Sequence, residues 1–395
     1  MPLSAGEFIE RVIDNDLDAV RQAVTESPSL VAARDRLIGS TALHFAAHRG
    51  FTQMVRTLLD AGADVHALET ASESAPLHWA AEGGHPAIAR MLLGRGAELE
   101  ALDSWFRLTP LGWASVVTWA PPFHEDKPGT ASQLLAAGAQ LDAFTAVALG
   151  RGDDLRRLAA ADPVALSRRL GFVAAAMQPL HVAVARRVGP MVTLLLDLGA
   201  DIGARTSLGM TPLALALEDD DQVMAGLLRG HGAREDAAVA LVEDNLGALG
   251  SRLDSGGDPD LAQALLFAAV GGGRTAAVAL LVDRGANPNA RIQQLVGEVP
   301  AEVTPLHIAA KKGHAAAVSA LIAAGARPDA GSEDRLPTPL HLAAGDGRTE
   351  AVRVLLDAGA SAGAEERLFG STPSAWAAHS GHDDLADLLR RASPE

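Results

Sequence analysis

The chain contains no cysteine and no tyrosine, and only three of its 395 residues are lysine. Without cysteine there is no disulfide framework, no thiolate metal site and no cysteine nucleophile. Its apolar runs stay short of the roughly 20 residues that a membrane-spanning helix needs. The sequence therefore predicts a protein that neither depends on disulfides nor crosses a membrane.

Basic charge is also scarce, since 33 Lys and Arg face 49 Asp and Glu, for a formal net charge of −16. Phosphate binding depends on a basic surface that releases counterions, so we expect no nucleic-acid partner. The first twenty residues lack the basic region and long apolar stretch of a secretory leader, which favours a cytoplasmic location. The excess of arginine over lysine in an alanine- and glycine-rich chain suggests a bacterial source.

Internal repetition is what the chain has in abundance. The stretch TPLHIAAKKGHAAAVSALIAAGARPDA begins at Thr304, and altered copies begin 34 residues later at Thr338 and again at Thr372. Earlier copies are led by Thr41, Ala75, Thr109, Gln178 and Thr211. A fixed period of this length indicates a stacked array of small units, because one unit cannot bury its apolar face alone.

Each unit favours a pair of helices. Thr304 suits the N-cap of the first helix, and Pro305 suits its first position, where the missing N–H costs nothing. Gly313 is predicted to end this helix. The second helix is predicted to pass through Val318 and to end near Gly325, where a residue tolerant of positive φ is needed.

The motif resembles the ankyrin repeat family over nearly the whole chain. The Thr-Pro-Leu-His opening, the Ala-Ala pair, the Gly-His turn and the Leu-Leu-x-x-Gly-Ala close recur together at fixed offsets. The resemblance implies an all-α solenoid of helix-turn-helix units with short β-hairpin fingers, curved into a superhelix. It also implies a recognition scaffold that binds a protein partner on its concave face, with no catalytic residue in the motif itself. The sequence shows no helical zinc spacing and no phosphate-loop or dinucleotide glycine pattern, so we expect no metal and no cofactor. The histidine at the fourth motif position would then be a structural hydrogen bonder.

Three segments lack the opening motif and carry an Asp/Asn/Gly turn before a short second helix. They are residues 8–37, 144–170 and 236–260. We interpret them as cap-like units, although sequence drift of ordinary repeats would look the same. About twelve units then form three sub-arrays, residues 1–143, 144–235 and 236–395, within one continuous solenoid.

Aromatic residues are concentrated near one end, since four of the five tryptophans fall within residues 79–119. Phe45, Trp79 and Trp113 share the motif position after the histidine, so they should form a column along the inner helices. They serve either as partner contacts or as packing between repeats. The concentration predicts that repeats one to three carry the binding site.

Trp105 and Phe106 belong to the finger DSWFRL, which is one residue longer than its neighbours. Because fingers project into solvent and exposed aromatic side chains are enriched at interaction sites, we expect both to contact a partner. Packing onto an adjacent finger is the alternative.

The third repeat is interrupted between its helices by an insertion at residues 118–130. Trp119 and Phe123 could roof a pocket there, and His124, Glu125 and Asp126 could supply acid–base groups or metal ligands. Sequential ligands on a loop are a weak metal pattern, and we predict no metal. A small apolar or cationic ligand, or a reaction, between this loop and the Trp105 finger is the alternative function. Residues 291–303 lengthen another finger and form a further candidate contact.

Overall fold

The computed structural model describes residues 3–116, 128–172, 175–256, 258, 260–296, 299–331, 334, 336–367 and 370–393. In these ranges the chain forms 24 α-helices, two short 3-10 helices and two β-strands. The helices follow one another in pairs joined by short turns, which confirms the predicted all-α repeat fold. The chain divides into two compact units, one of residues 1–202 with 297–299 and the other of residues 203–296 with 300–395.

The helices of the first unit alternate between inner helices, which carry the opening motif, and outer helices. They are α1 (Ala5–Ile13), α2 (Leu17–Glu26), α3 (Ala42–His48), α4 (Thr52–Asp60), α5 (Pro76–Glu82), α6 (Pro86–Leu93), α7 (Pro110–Ser115), α8 (Pro128–Ala136), α9 (Ala143–Ala148), α10 (Gly152–Ala161), α11 (Pro179–Ala185) and α12 (Gly189–Asp197). The 3-10 helices, Pro28–Ala32 and Ala165–Ser167, follow α2 and α10.

The second unit continues the alternation and contains β1 and all of β2 except its first residue, Val299. Its elements are α13 (Pro212–Glu218), α14 (Gln222–Gly230), α15 (Ala237–Val242), α16 (Leu246–Gly256), α17 (Leu261–Gly271), α18 (Thr275–Asp283), β1 (Ile292–Val296), β2 (Val299–Val303), α19 (Pro305–Lys312), α20 (Ala315–Ala323), α21 (Pro339–Gly345), α22 (Thr349–Asp357), α23 (Pro373–His379) and α24 (Asp383–Ala392).

The opening motif fixes both the start of each inner helix and its contact with the next repeat. At α19 the backbone N–H of Thr304 donates to His307 Nδ1 over 3.1 Å. The other ring nitrogen, His307 Nε2, donates to the carbonyl oxygen of Pro337 in the following repeat over 2.9 Å. One buried imidazole therefore satisfies a helix N-terminus and links two neighbouring units.

Glycines end the helices where the sequence predicts them. Gly313 follows α19 with a φ of 78° and Gly325 follows α20 with a φ of 90°. Residues other than glycine and asparagine seldom adopt this left-handed conformation. The turns after these two helices are therefore favoured by the local sequence.

Packing runs from each pair to its neighbours. In the first unit α3 packs against α5, and α5 packs against α7. Leu43, Leu77 and Leu111 lie at equal motif positions in these helices and are fully buried. Leu306 and Leu340 are buried in the same way in the second unit. Apolar burial of this kind is the main favourable term in folding, so the core is one row of similar layers in each unit.

The two interior cap-like segments begin their helices differently from ordinary repeats. The Asp142 carboxylate accepts a bond from the Thr145 N–H at 2.7 Å, and Asp236 accepts one from the Val239 N–H at 3.0 Å. An aspartate N-cap here takes the place of the Thr-Pro-Leu-His opening. New helix pairs thus start near residues 143 and 236, but the division into three sub-arrays stays a prediction.

The fingers differ from the expectation of short β-hairpins. In the described ranges the only paired strands are β1 and β2, and the other fingers are tight turns with at most an isolated bridge such as Arg34 to Thr41. Side-chain acceptors, described below, bind the finger amides that strand pairing would otherwise use. α8 begins at Pro128, within the segment 118–130 that is predicted as the insertion.

No helix in the described part of the chain is both long and apolar enough to span a bilayer.

Candidate functional site

The predicted aromatic column on the inner helices of the first unit is formed only in part. Phe45 on α3 and Trp79 on α5 meet edge to face, with ring centroids 5.7 Å apart and an interplanar angle of 78°. Trp113 on α7 instead contacts Phe106 at 5.9 Å and His78 at 5.4 Å. The column is therefore two clusters, one formed by Phe45 and Trp79 and the other centred on Trp113.

The two clusters differ in exposure. Phe45 and Trp79 are half-buried, so part of each ring faces solvent. Trp113 is only 3% exposed. Its repeat has Gly112 in place of the usual histidine, and an added Cβ there would lie 2.7 Å from the Leu108 Cβ, so Leu108 takes the place of the imidazole. Trp113 is therefore part of the core, and Phe45 with Trp79 form the accessible aromatic surface.

Polar groups surround and orient Trp79. Its indole N–H donates to Ser74 Oγ over 2.8 Å. The imidazole of His48 lies edge to face with the indole at 5.7 Å, and its Nε2 pairs with the Glu82 carboxylate. His48 keeps 39% of its side chain exposed and Glu82 keeps 14%. We call Phe45, His48, Trp79 and Glu82 the aromatic patch.

The prediction that Trp105 and Phe106 are exposed on their finger is wrong. They are 3% and 6% exposed. The Trp105 indole N–H donates to the carbonyl oxygen of Ala71 in the preceding finger over 2.8 Å. On the other side, the Gly171 N–H donates to the Phe106 carbonyl oxygen over 2.8 Å. The finger packs between its neighbours, which is the alternative that the sequence left open.

Asp103 holds this finger in shape. Its Oδ1 accepts bonds from the backbone N–H groups of Trp105 and Phe106 at 2.8 and 2.7 Å. Its Oδ2 accepts bonds from the Leu108 N–H and the Trp113 indole, both at 2.9 Å. These four donors compensate the burial of a carboxylate that is 2% exposed. Asp103 thereby fixes both the finger and the indole of the inner helix beneath it.

Glu69 plays the same part in the preceding finger. Its carboxylate accepts bonds from the N–H groups of Ala71, Ser72 and Ser74 at 2.6, 2.6 and 3.2 Å. It also accepts a bond from the Ser74 hydroxyl at 3.2 Å, and this hydroxyl holds the Trp79 indole. Glu69 is 2% exposed. The buried Glu69 carboxylate therefore orients the Trp79 indole of the aromatic patch through the Ser74 hydroxyl.

Sequence analysis missed this arrangement, although a signal was present. An acidic residue stands six positions before the leading motif residue in five repeats, and these residues are Asp35, Glu69, Asp103, Glu298 and Glu366. The structure places Glu69, Asp103 and Glu366 in the buried interior of their fingers.

The motif histidines are structural, as the resemblance implies. Burial lowers the pKa of His44 to about 4, from an ordinary value of 6.5. Burial also lowers the pKa of His78 and of His341. His44 Nε2 donates to the Ser74 carbonyl oxygen over 3.1 Å, and Nδ1 accepts a bond from the Thr41 N–H. A neutral ring satisfies both contacts, so these imidazoles carry no charge at neutral pH.

The insertion residues lie outside the described residues. They are Trp119, Phe123, His124, Glu125 and Asp126. In the ranges that the structure does describe, no three His, Asp or Glu side chains are grouped to hold a metal ion. A surface depression of about 510 Å³ lies beside α2 and α4, lined by Arg21, Gln53 and Arg56 among others, and not at the aromatic patch. The small-molecule or catalytic alternative stays a prediction about the insertion.

The chain is similar to a known protein family at two places. The sequence model of the ankyrin repeats (3 copies) matches residues 9–103 and 306–394. The first stretch contains the aromatic patch, and the second contains the last three repeats. A search of curated proteins finds no match.

Proposed function

Because the chain is an ankyrin repeat protein, as its matches at both ends show, we propose that it is a non-catalytic recognition scaffold whose protein partner binds the inner helices and fingers of repeats one to three. Ankyrin repeats are generally protein-interaction modules. The observation that carries the proposal is the edge-to-face pair of Phe45 and Trp79, whose rings are only half-buried on the inner helices α3 and α5.

The aromatic patch has the properties of an interface anchor. Aromatic side chains dominate binding energy at interfaces when they are held in one orientation, since less side-chain entropy is then lost on binding. Ser74 and His48 hold the Trp79 indole, and Glu69 holds Ser74. The His48–Glu82 pair supplies a polar rim next to the rings.

The other aromatic residues take different parts in this proposal. Trp105, Phe106 and Trp113 are buried, so we assign them to the support of the fingers and not to direct contact. Trp119 and Phe123, outside the described residues, stay predicted contacts. A cytoplasmic location and a bacterial source also stay predictions.

The test uses the full-length chain with the photoreactive amino acid p-benzoylphenylalanine at position 45. We expect it to crosslink one protein in cells, and the same amino acid at position 223 to leave that protein uncrosslinked. Val223 on α14 is 84% exposed and lies in the other unit. This pair of positions separates binding at the patch from contact with any exposed site.

The crosslinked protein is then purified and its affinity measured by calorimetry. Trp79→Ala should weaken binding by about 2 kcal/mol or more, roughly thirtyfold, as expected for a central aromatic anchor. Trp376→Ala, at the same motif position in the last repeat, is the matched control and should leave the affinity unchanged. Equal affinities for wild type and Trp79→Ala would exclude the patch as the partner site.

A further inference from the structure

The last repeats carry a second column at the motif position of Phe45 and Trp79. It consists of Ile308, Leu342 and Trp376, each 34 residues from the next. α19 packs against α21, and α21 packs against α23. This second column is apolar along its whole length.

The hairpin of β1 and β2 covers this column. Val296, Ala301 and Val303 of the hairpin are buried and form one apolar cluster with Leu342, and Ile308 and Trp376 pack against that cluster. Gln293 and Glu302 of the same strands are exposed. The alternation of buried and exposed residues is that of strands with one face on a core. The hairpin therefore lies with its apolar face on the inner helices.

The ion pairs that the structure describes for the hairpin lie at the surface. Arg291 pairs with Glu302 at 3.4 Å and with Asp334 at 2.8 Å, and both acidic partners are at least half exposed. Exposed ion pairs contribute little to stability. A lone two-stranded hairpin is itself marginally stable in water. The position of the hairpin therefore depends mainly on its apolar contact with the second column.

We propose that the second column is a binding surface for an extended peptide segment with apolar side chains at alternate positions, and that the chain's own hairpin occupies it. A partner segment of this kind binds there by displacing the hairpin. Because β2 runs directly into the N-cap Thr304, the tethered hairpin has a high effective concentration and competes strongly. The inference concerns the second unit and does not rest on the proposed function of the first.

The test uses a mutation that displaces the hairpin from the second column. A separate peptide with the hairpin sequence is then added to the protein. The full-length double variant Val296→Asp/Ala301→Asp buries two charges if the hairpin stays docked, so undocking is favoured. A fluorescein-labelled peptide with the sequence of residues 291–303 is titrated, and its anisotropy is recorded. We expect the double variant to bind the peptide at least about tenfold more tightly than wild type.

Two further variants make the outcome specific. Gln293→Asp adds charge on the exposed face of the hairpin and should behave like wild type. Ile308→Glu, added to the double variant, should abolish peptide binding, because it places a charge on the column. If Val296→Asp/Ala301→Asp lowers the helix content by circular dichroism, Val296→Ser/Ala301→Ser replaces it. No peptide binding up to millimolar concentration, or binding that survives Ile308→Glu, would overturn the inference.

Discussion

At the scale of the residue, buried charge and buried imidazole organise the aromatic side chains. The carboxylates of Glu69, Asp103 and Glu366 each stand six positions before a leading motif residue. Asp103 accepts a bond from the Trp113 indole and Glu366 accepts one from Trp376 at 3.3 Å, whereas Glu69 acts on its indole through a serine. A buried carboxylate whose hydrogen bonds are all made orients its donors. A buried carboxylate without such bonds would destabilise the fold. The fingers thus determine how the indoles of the inner helices point.

The buried histidines predict a loss of stability in mild acid. The native pKa of His44 is lowered to about 4, while the unfolded chain takes up its proton near 6.5. Between these values the unfolded state binds more protons, so the free energy of unfolding should fall as the pH drops from about 6.5 to about 4. His44 alone contributes at most about 3 kcal/mol to this fall.

The measurement is urea unfolding between pH 4 and 8. A His44→Gln variant should be less stable at neutral pH and should show a smaller pH dependence over this window. His66→Gln, on an exposed residue, is the control and should keep the wild-type dependence. An unchanged dependence in His44→Gln would mean that His44 is not the source.

At the scale of the element, fingers pack on fingers as closely as helices pack on helices. The Trp105 finger is bound to the preceding finger through Ala71 and to the following segment through Gly171. A Cβ added at Gly171 would lie 1.9 Å from the Trp105 carbonyl oxygen. Only glycine lets the two backbones approach this closely.

Gly171→Ala should therefore destabilise the first unit by about 1 to 3 kcal/mol, because the backbone of one finger must move. Urea unfolding measures the loss, and near-ultraviolet circular dichroism should show a changed tryptophan signal. Gly226→Ala is the matched control. Gly226 lies within α14 with open space around it, so alanine there should stabilise the chain by about 0.5 to 1 kcal/mol. Equal stabilities of Gly171→Ala and wild type would contradict the finger contact.

At the scale of the whole molecule, the helices pack mainly against those of neighbouring helix pairs, so stability is largely a sum of local terms. Such an array loses cooperativity more easily than a globular domain of the same length. The two compact units, divided after Ile202, are therefore expected to respond separately to local damage.

Leu43→Ala and Leu340→Ala test this expectation as a matched pair. Both leucines are fully buried at the same motif position, one in each unit, and each truncation should cost about 2 to 5 kcal/mol. In hydrogen exchange followed by mass spectrometry, Leu43→Ala should speed exchange in α3 to α7 and leave α19 to α23 unchanged. Leu340→Ala should give the reverse pattern. Faster exchange over the entire chain in either variant would instead indicate a single cooperative unit.

The sequence by itself determined the repeat fold, because every signal involved is local. Thr304 and Pro305 favour the start of one helix, and Gly313 favours the end of the same helix. Leu306 and Leu340 are separated by one repeat period. Capping, positive φ and helical periodicity need no knowledge of distant contacts. The structural role of the motif histidines could also be predicted, from the resemblance to ankyrin repeats.

The exposure of each aromatic ring was decided only by the tertiary structure. Phe45, Trp79 and Trp113 share one motif position, yet the first two remain accessible and the third is sealed by Phe106 and its finger. The hairpin covers the equivalent column of the second unit. Exposure depends on which neighbouring finger lies over a position, and that contact joins residues far apart in the chain, so no local pattern encodes it.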